Sequence, residues 1–163
     1  MFKKTSLINQ LLLILLVITM VFTFVLMPLI DYNLNSIADK QMFDDLFVSQ
    51  NNIIDHNYFI PDNKKVKSVT HLIYNSSTNT VNTPNMTYNE YYVLYNNVFG
   101  KELESLVSSD INYIYNKTSF ENKTYYYLIT NVNNNNFLIS LTTSDYSQEL
   151  LISLRNRVVY IQY

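Results

Sequence analysis

The sequence predicts an α+β protein in which an N-terminal transmembrane helix continues into a long helix, followed by an antiparallel sheet of about five strands flanked by helices. Three observations support this fold class. Leu11–Ile30 is an apolar segment without a charged residue. Apolar residues then recur at every fourth position from Leu34 to Leu46. Finally, three segments rich in β-branched and aromatic residues follow one another within residues 111–143.

Residues 11–30 have the length and composition of a membrane-spanning helix. A helix of this length reaches about 30 Å, which matches the hydrocarbon core of a bilayer. Thr19 and Thr23 carry its only hydroxyl groups. Because lipid offers no hydrogen-bond partners, a helix that pairs its backbone groups internally is expected. Pro28 lies near the end of the segment, where we expect a local kink.

The flanking charges predict the orientation of this helix. Lys3 and Lys4 precede it, whereas Asp31 and Asp39 follow it. Under the positive-inside rule, residues 1–10 are cytoplasmic and the rest of the chain lies outside the cell membrane. A cleavable signal peptide is the alternative, but its apolar region usually has about 7–15 residues and ends in small residues. An uncleaved anchor is therefore favoured.

The composition excludes several classes of function. The formal net charge is −2, which disfavours a nucleic-acid partner. There is no cysteine, so disulfides and thiolate metal sites are excluded. The two histidines, His56 and His71, are too few and too far apart to suggest zinc. We accordingly predict no metal site and no cofactor.

The segment after the membrane helix is predicted to be a long amphipathic helix over residues 32–57. No glycine or proline interrupts it. Phe43 and Phe47 widen its apolar stripe, and such a stripe can pack on its own domain, on a second copy of the chain, or on both. The stripe itself consists of Leu34, Ala38, Met42 and Leu46.

Two short strands and a helix are predicted next. Val66–Tyr74 and Thr80–Thr83 have strand composition and are separated by a polar turn. Thr87 and Glu90 have the spacing of a capping box, which begins a helix. Gly100, the sole glycine, is predicted to cap that helix at its C-terminus, with one or two further turns beyond it.

Three more strands are predicted at Ile111–Tyr115, Thr124–Val132 and Phe137–Thr143. The loops between them, residues 116–123 and 133–136, are short enough for antiparallel hairpins. Side chains alternate between faces along a strand, and both faces of these strands are fairly apolar. We therefore expect a central sheet covered by helices on at least one side.

The final segment, residues 144–163, is predicted to be a helix capped by Ser144 or Asp145. After Arg157 the sequence becomes apolar. We expect residues 158–163 to be the start of a second transmembrane helix that is truncated at Tyr163.

This arrangement resembles the N-terminal sensor region of a bacterial two-component sensor histidine kinase. Residues 31–157 resemble its PAS-like extracytoplasmic sensor domain, of the type called PDC or Cache. The resemblance covers the whole chain and rests on the order of elements and on local sequence. The local sequences are MFKK before the apolar segment, FGKELES at 99–105, YYYLITNV at 125–132 and FLISLTTSDYSQELLISLRNRV at 137–158.

The resemblance implies a dimeric receptor that passes ligand or stress signals across the membrane. Its implied partners are the lipid bilayer, a second copy bound through the membrane-proximal helix, a small ligand, cation or peptide, and a cytoplasmic response regulator. The parent protein would be a protein-histidine kinase, but these 163 residues contain no catalytic motif. Chemoreceptors and diguanylate cyclases share this sensor plan. A single-span surface or interaction protein without a kinase core is a further alternative.

The resemblance also implies a ligand pocket between the sheet and a layer of helices and loops. Aromatic rings and hydroxyl groups on the strands are the candidate contacts, although an ordinary aromatic core would have the same pattern. A carboxylate ligand is disfavoured because Arg155 and Arg157, the only arginines, lie in the last helix. The predicted ligand-binding residues are Tyr113, Tyr115, Tyr125, Tyr127 and His71.

Overall fold

The computed structural model describes residues 7–57, 69–84, 86–133, 135–145 and 151–152. The chain forms two compact units, Met1–Ile37 and Ala38–Tyr163. A long N-terminal helix and a five-stranded antiparallel sheet with two short helices confirm the predicted α+β class. The elements are α1 (Leu7–Val21), a π-helical segment (Phe22–Leu26), α2 (Met27–Asp55), β1 (Thr70–Asn75), β2 (Thr80–Asn82), α3 (Tyr88–Leu94), a second π-helical segment (Tyr95–Phe99), α4 (Gly100–Val107), β3 (Tyr113–Phe120), β4 (Lys123–Asn133) and β5 (Asn136–Thr143).

The first unit is dominated by exposed apolar side chains. The large apolar residues from Leu7 to Ile30 are exposed, and none of the most apolar stretch is buried. Together α1, the π-helical segment and α2 form a helix of 49 residues, which is long and apolar enough to cross a membrane. A core helix of a soluble protein would be mostly buried instead.

The first π-helical segment ends two residues before Pro28. The Met27 N–H donates to the carbonyl of Phe22, five residues earlier. Proline has no N–H, and its ring crowds the carbonyl four residues before it in a regular helix. A wider turn at this point relieves that crowding.

The second unit is built on a sheet with the strand order β2-β1-β5-β4-β3. All neighbouring strands are antiparallel. On one face, α3 and α4 enclose a core with Phe99, Leu103 and Leu106 at its centre. On the other face, Met42 and Leu46 of α2 pack against the sheet.

The predicted alternation of side chains along the strands is confirmed. Tyr127 and Ile129 belong to the core beneath α3 and α4, whereas Tyr126 and Leu128 contact α2. Both faces are therefore covered, which explains why these strands are apolar on both sides. All four stripe residues of the long helix are buried, as the four-residue spacing predicts.

Strand β3 is longer than the sequence predicted, so the predicted loop over residues 116–123 is wrong. The strand continues to Phe120, and Glu121 and Asn122 alone form the hairpin turn. Both turn residues have positive φ, 49° and 62°, which indicates a two-residue hairpin of type I′. The polar sequence of residues 116–119 is compatible with an edge strand, because such a strand has solvent on one side.

Gly100 is not a C-terminal cap, which corrects the prediction made for the sole glycine. Its φ is −61°, and it continues the helix after the second π-helical segment. Its N–H donates to the carbonyl of Tyr95, and a Cβ at this position would overlap that oxygen. Glycine is thus required here by the close backbone approach of a π-helical turn rather than by left-handed geometry.

The predicted last helix lies mostly outside the described residues. Ser144–Asp145 and Leu151–Ile152 are helical. The predicted second transmembrane helix at residues 158–163 lies entirely outside the described part of the chain, as do residues 66–68 of the first predicted strand.

Candidate functional site

An open cleft of about 560 Å³ lies between α3 and the sheet of the second unit. Its volume falls within the usual range of small-molecule sites, about 300–1,000 Å³. We call it the α3 cleft. Its described lining consists of Thr70, Met86, Asn89, Glu90, Val93, Leu94, Phe120, Glu121 and Tyr125.

The capping box of α3 fixes the position of Glu90. The N–H and the hydroxyl of Thr87 both donate to Glu90 Oε2 at 2.8 Å, and the Glu90 N–H donates to the Thr87 hydroxyl at 3.3 Å. This confirms the predicted helix start. It also places a carboxylate at the cleft with little freedom to move.

The β3–β4 hairpin places Phe120 and Glu121 at the cleft. Phe120 pairs with Lys123 across the turn, so the two-residue loop fixes where both cleft residues lie. Glu121 adopts φ 49°, a conformation that costs a residue with a Cβ some free energy. Asn122 tolerates the same left-handed geometry more readily.

Of the five residues predicted to bind a ligand, Tyr125 lines the α3 cleft. Tyr127 is on the same face but is fully buried in the core. Burial raises the pKa of the Tyr127 hydroxyl to about 12, and that hydroxyl lies 3.4 Å from the Thr118 hydroxyl. Tyr127 is therefore placed as a core residue rather than as a wall of the cleft.

Tyr113 and Tyr115 lie on the opposite face of the sheet, against α2. Their rings stack on each other with centroids 6.4 Å apart. The ring centroids of Phe43 and Tyr115 lie 4.8 Å apart, and those of Phe47 and Tyr113 lie 5.4 Å apart. Both pairs pack edge to face. These four rings join the edge strand β3 to α2.

His71 also lies on the α2 face, where its ring bridges the helix and the sheet. Its Nε2 lies 2.8 Å from the Ser49 hydroxyl, and its Nδ1 lies 2.7 Å from the Ser140 hydroxyl. The side chain is buried, and this burial lowers its pKa from 6.5 to about 4. The ring is thus neutral at physiological pH and holds α2 against β1 and β5.

Two further polar side chains of α2, Gln50 and Asp39, contact the sheet, and no sequence pattern predicts either contact. Gln50 is buried and contacts the backbone of two strands through its amide. Asp39 accepts a hydrogen bond of 2.6 Å from the Tyr126 hydroxyl and forms an ion pair with Lys117. The helix is therefore attached to the sheet by specific polar groups as well as by apolar packing.

Several cleft residues were missed at the sequence level. The sequence pattern predicts a capping-box role for Glu90, and Glu121 falls within the predicted loop over residues 116–123. Val93 carried a usable signal, because with Glu90 and Leu94 it has the i, i+3, i+4 spacing of one helix face. Nothing in the sequence indicated that this face would border an open cleft.

In the described part of the chain, no three His, Asp or Glu side chains are grouped so that they could hold a metal ion. Comparisons with protein-family models, with curated proteins and with solved structures give no match for this chain. The chemistry of the α3 cleft must therefore be inferred from its own residues.

Proposed function

We propose that this chain is a membrane-anchored sensor region whose sheet domain lies outside the cytoplasm and receives a small ligand in the α3 cleft. The proposal extends to the resemblance noted above, namely that the region belongs to a two-component sensor histidine kinase. Its support is the order of elements and the long, unburied apolar helix before the sheet domain. The lysines before the helix favour a cytoplasmic N-terminus.

The observation that carries this proposal is that cleft residues and α2 contacts are sequence neighbours on two strands. Thr70 lines the cleft, and the next residue, His71, contacts Ser49 of α2. Tyr125 lines the cleft, and the next residue, Tyr126, donates to Asp39 of α2. Successive side chains of a strand point to opposite faces of the sheet. A residue that lines the cleft is therefore separated by one peptide bond from a residue that contacts α2.

This geometry supplies a route from ligand to helix. A ligand that displaces β1 or β4 at the cleft also displaces the groups that hold α2 on the other face. A signal requires two conformations of the domain that differ in the position of α2. The ligand must bind these two conformations with different affinity. Since α2 is continuous from Met27 to Asp55, its displacement is passed along the helix toward the apolar segment.

The same helix is the proposed contact between two copies of the chain. Val48 is 59% exposed on α2, on a side that does not pack against the sheet. A dimer formed there would allow one helix to move against its counterpart, as the resemblance implies.

The proposed topology predicts which positions are accessible from outside the cell. The chain has no cysteine, so a single introduced thiol reports its own location. Thr78→Cys, in the exposed turn between β1 and β2, is expected to react with a membrane-impermeant maleimide in intact cells. Ser6→Cys is the matched control and should react only after lysis. Protection of Thr78→Cys in intact cells would contradict the extracytoplasmic placement.

Ligand reception predicts that filling the cleft abolishes thermal stabilisation by ligands. The 163-residue chain in lipid nanodiscs is screened for small molecules that raise its melting temperature, since a ligand at 100 times its Kd adds about 2.7 kcal/mol of stability. Val93→Trp places a bulky ring in the cleft and is expected to remove the response.

Tyr92→Trp is the control for this experiment, because Tyr92 is exposed on the same helix but does not line the cleft. It should leave the response intact. If stabilising molecules act equally on both variants, the α3 cleft is not the receiving site.

A further inference from the structure

We infer that Asn122, in the turn between β3 and β4, is the attachment site of an N-linked glycan. This inference rests on the proposed function only for the placement of the sheet domain outside the cytoplasm. It adds a covalent modification at a residue that does not line the α3 cleft. The substrate class is a glycan carried on a polyprenyl phosphate.

The acceptor pattern for such a glycan, Asn-x-Ser/Thr, occurs more than once in the sequence. An asparagine-rich chain contains such triplets by composition alone, so the pattern by itself does not select a site. The structure distinguishes the triplets by what each asparagine side chain contacts. They begin at Asn75, Asn85, Asn116 and Asn122, and Asn85 lies outside the described residues.

The side chain of Asn75 is bound at both ends of its amide. Its Nδ2 donates to Asn136 Oδ1 at 2.8 Å, and its Oδ1 accepts from the backbone N–H groups of Ser77 and Thr78. These bonds connect β1 to β5 and shape the turn after β1. A bulky group on Nδ2 would displace Asn136, so this triplet is an unfavourable site.

Asn116 is also engaged, and it lies within β3 rather than in a turn. Its Oδ1 accepts from the Lys117 N–H at 2.8 Å, and its Nδ2 donates to Glu102 at 3.4 Å. The first bond satisfies a backbone donor of the edge strand, and the second connects that strand to α4. A glycan on this amide would disturb both contacts.

Asn122 differs from both, because it is exposed and stands at the tip of a surface turn. It is the second residue of the two-residue hairpin turn, with a φ of 62°. Within the described part of the chain its side chain has no hydrogen bond. A glycan on its Nδ2 therefore extends into solvent and breaks no contact, as is typical of N-linked sites in surface loops.

Thr124 completes this triplet. Its hydroxyl lies 3.4 Å from the Ser119 hydroxyl, which is too long for a strong hydrogen bond. The fold of the hairpin therefore does not depend on this hydroxyl.

Attachment joins Nδ2 of Asn122 to the anomeric carbon of the glycan. The bond between that carbon and a phosphate oxygen of the polyprenyl carrier breaks, and the carrier phosphate leaves with the electron pair. The amide loses one proton to the transferase. The step needs no oxidant or reductant.

Mass spectrometry of tryptic peptides tests this assignment. The protein is isolated from the membranes of the cells that naturally produce it. Cleavage after Lys117 separates Asn122 from the other three triplets, so peptides that begin at Thr118 report this site alone. We expect these peptides to carry the mass of one glycan, and the peptides that contain Asn75 or Asn116 to have their unmodified masses.

Two substitutions remove the acceptor and retain the turn. Asn122→Asp removes the amide, and aspartate also tolerates a positive φ. Thr124→Val removes the hydroxyl but keeps a β-branched residue in the strand, whose N–H still donates to Ser144. Both variants, expressed in the same cells, should lose the glycan mass completely. Thr124→Ser is the matched control, because it preserves the triplet and should retain the glycan.

The possible results lead to different conclusions. Unmodified peptides from Thr118, or a glycan that persists in Thr124→Val, would overturn the assignment of Asn122. A glycan on Asn75 or Asn116 instead would also overturn it, because side-chain contacts would then not select the site. Labelling of Thr78→Cys separates this failure from that of the proposed function. A labelled thiol without a glycan overturns the Asn122 site alone, whereas a protected thiol overturns the extracytoplasmic placement and the Asn122 site with it.

Discussion

Replacing Gln50 by alanine is expected to lower the free energy of unfolding of the sheet domain by about 2–4 kcal/mol. Gln50 is 2% exposed. Its Nε2 donates to the carbonyls of Leu128 and Leu138 at 2.9 and 3.0 Å, and its Oε1 accepts from the Thr130 hydroxyl at 2.6 Å. Alanine removes three hydrogen bonds and leaves a void between α2 and the two central strands.

Urea unfolding of the 163-residue chain in detergent, followed by tyrosine fluorescence, measures this loss. Gln41→Ala is the matched control, because Gln41 is exposed on the same helix and should change stability by less than about 0.5 kcal/mol. Gln50→Leu separates the two causes, since leucine restores the volume but not the hydrogen bonds. Stability of Gln50→Ala close to that of Gln41→Ala would show that α2 is not held by this side chain.

The periodicity of the sequence was sufficient to predict the elements that pack tightly. The four-residue spacing from Leu34 to Leu46 identified the buried side of α2, and the alternation in residues 124–143 identified the two faces of the sheet. When one face of a helix or strand is buried, apolar residues recur at a regular spacing in the sequence. These features could therefore be predicted from the sequence.

Other features leave no such repeat. Residues 116–119 are polar because β3 is an edge strand, and polarity alone suggested a loop. Gly100 is needed by a π-helical turn, whose occurrence depends on how the flanking helices pack. Both predictions were wrong for the same reason. A polar segment most often indicates a loop, and a glycine near the end of a helix most often indicates a C-terminal cap.

The structure places the predicted ligand-binding residues on different faces of the sheet, for a physical reason. The predicted aromatic residues lie on strands, where side chains alternate between faces, so Tyr125 reaches the cleft while Tyr113 and Tyr115 meet α2. Which face would carry a cleft depends on α3 and on the hairpin turn. Glu90 and Glu121 come together from these two separate elements, and their proximity is a property of the fold.

The second large effect expected is a pH dependence of stability that comes from His71. Its ring lies between the hydroxyls of Ser49 and Ser140, and desolvation by burial is the cause that lowers its pKa to about 4. In the unfolded chain the same ring has its ordinary pKa of about 6.5. Between these two values the unfolded state therefore binds a proton that the folded state does not.

The sign of the effect follows from this difference in proton binding. The contribution of His71 is fully present above about pH 6.5, is lost as the pH falls from 6.5 to 4, and changes no further below that. A shift of this size corresponds to roughly 3 kcal/mol.

His71→Gln should remove most of this pH dependence of stability, whereas His56→Gln, which changes an exposed histidine, should retain it. The free energy of unfolding of each variant is compared at pH 7.5 and pH 4.5, so that carboxylates common to all three proteins cancel. Parallel pH profiles for His71→Gln and the unmodified chain would mean that the ring takes up its proton as readily in the folded domain as in the unfolded chain. A neutral imidazole could then not be what holds α2 to β1 and β5.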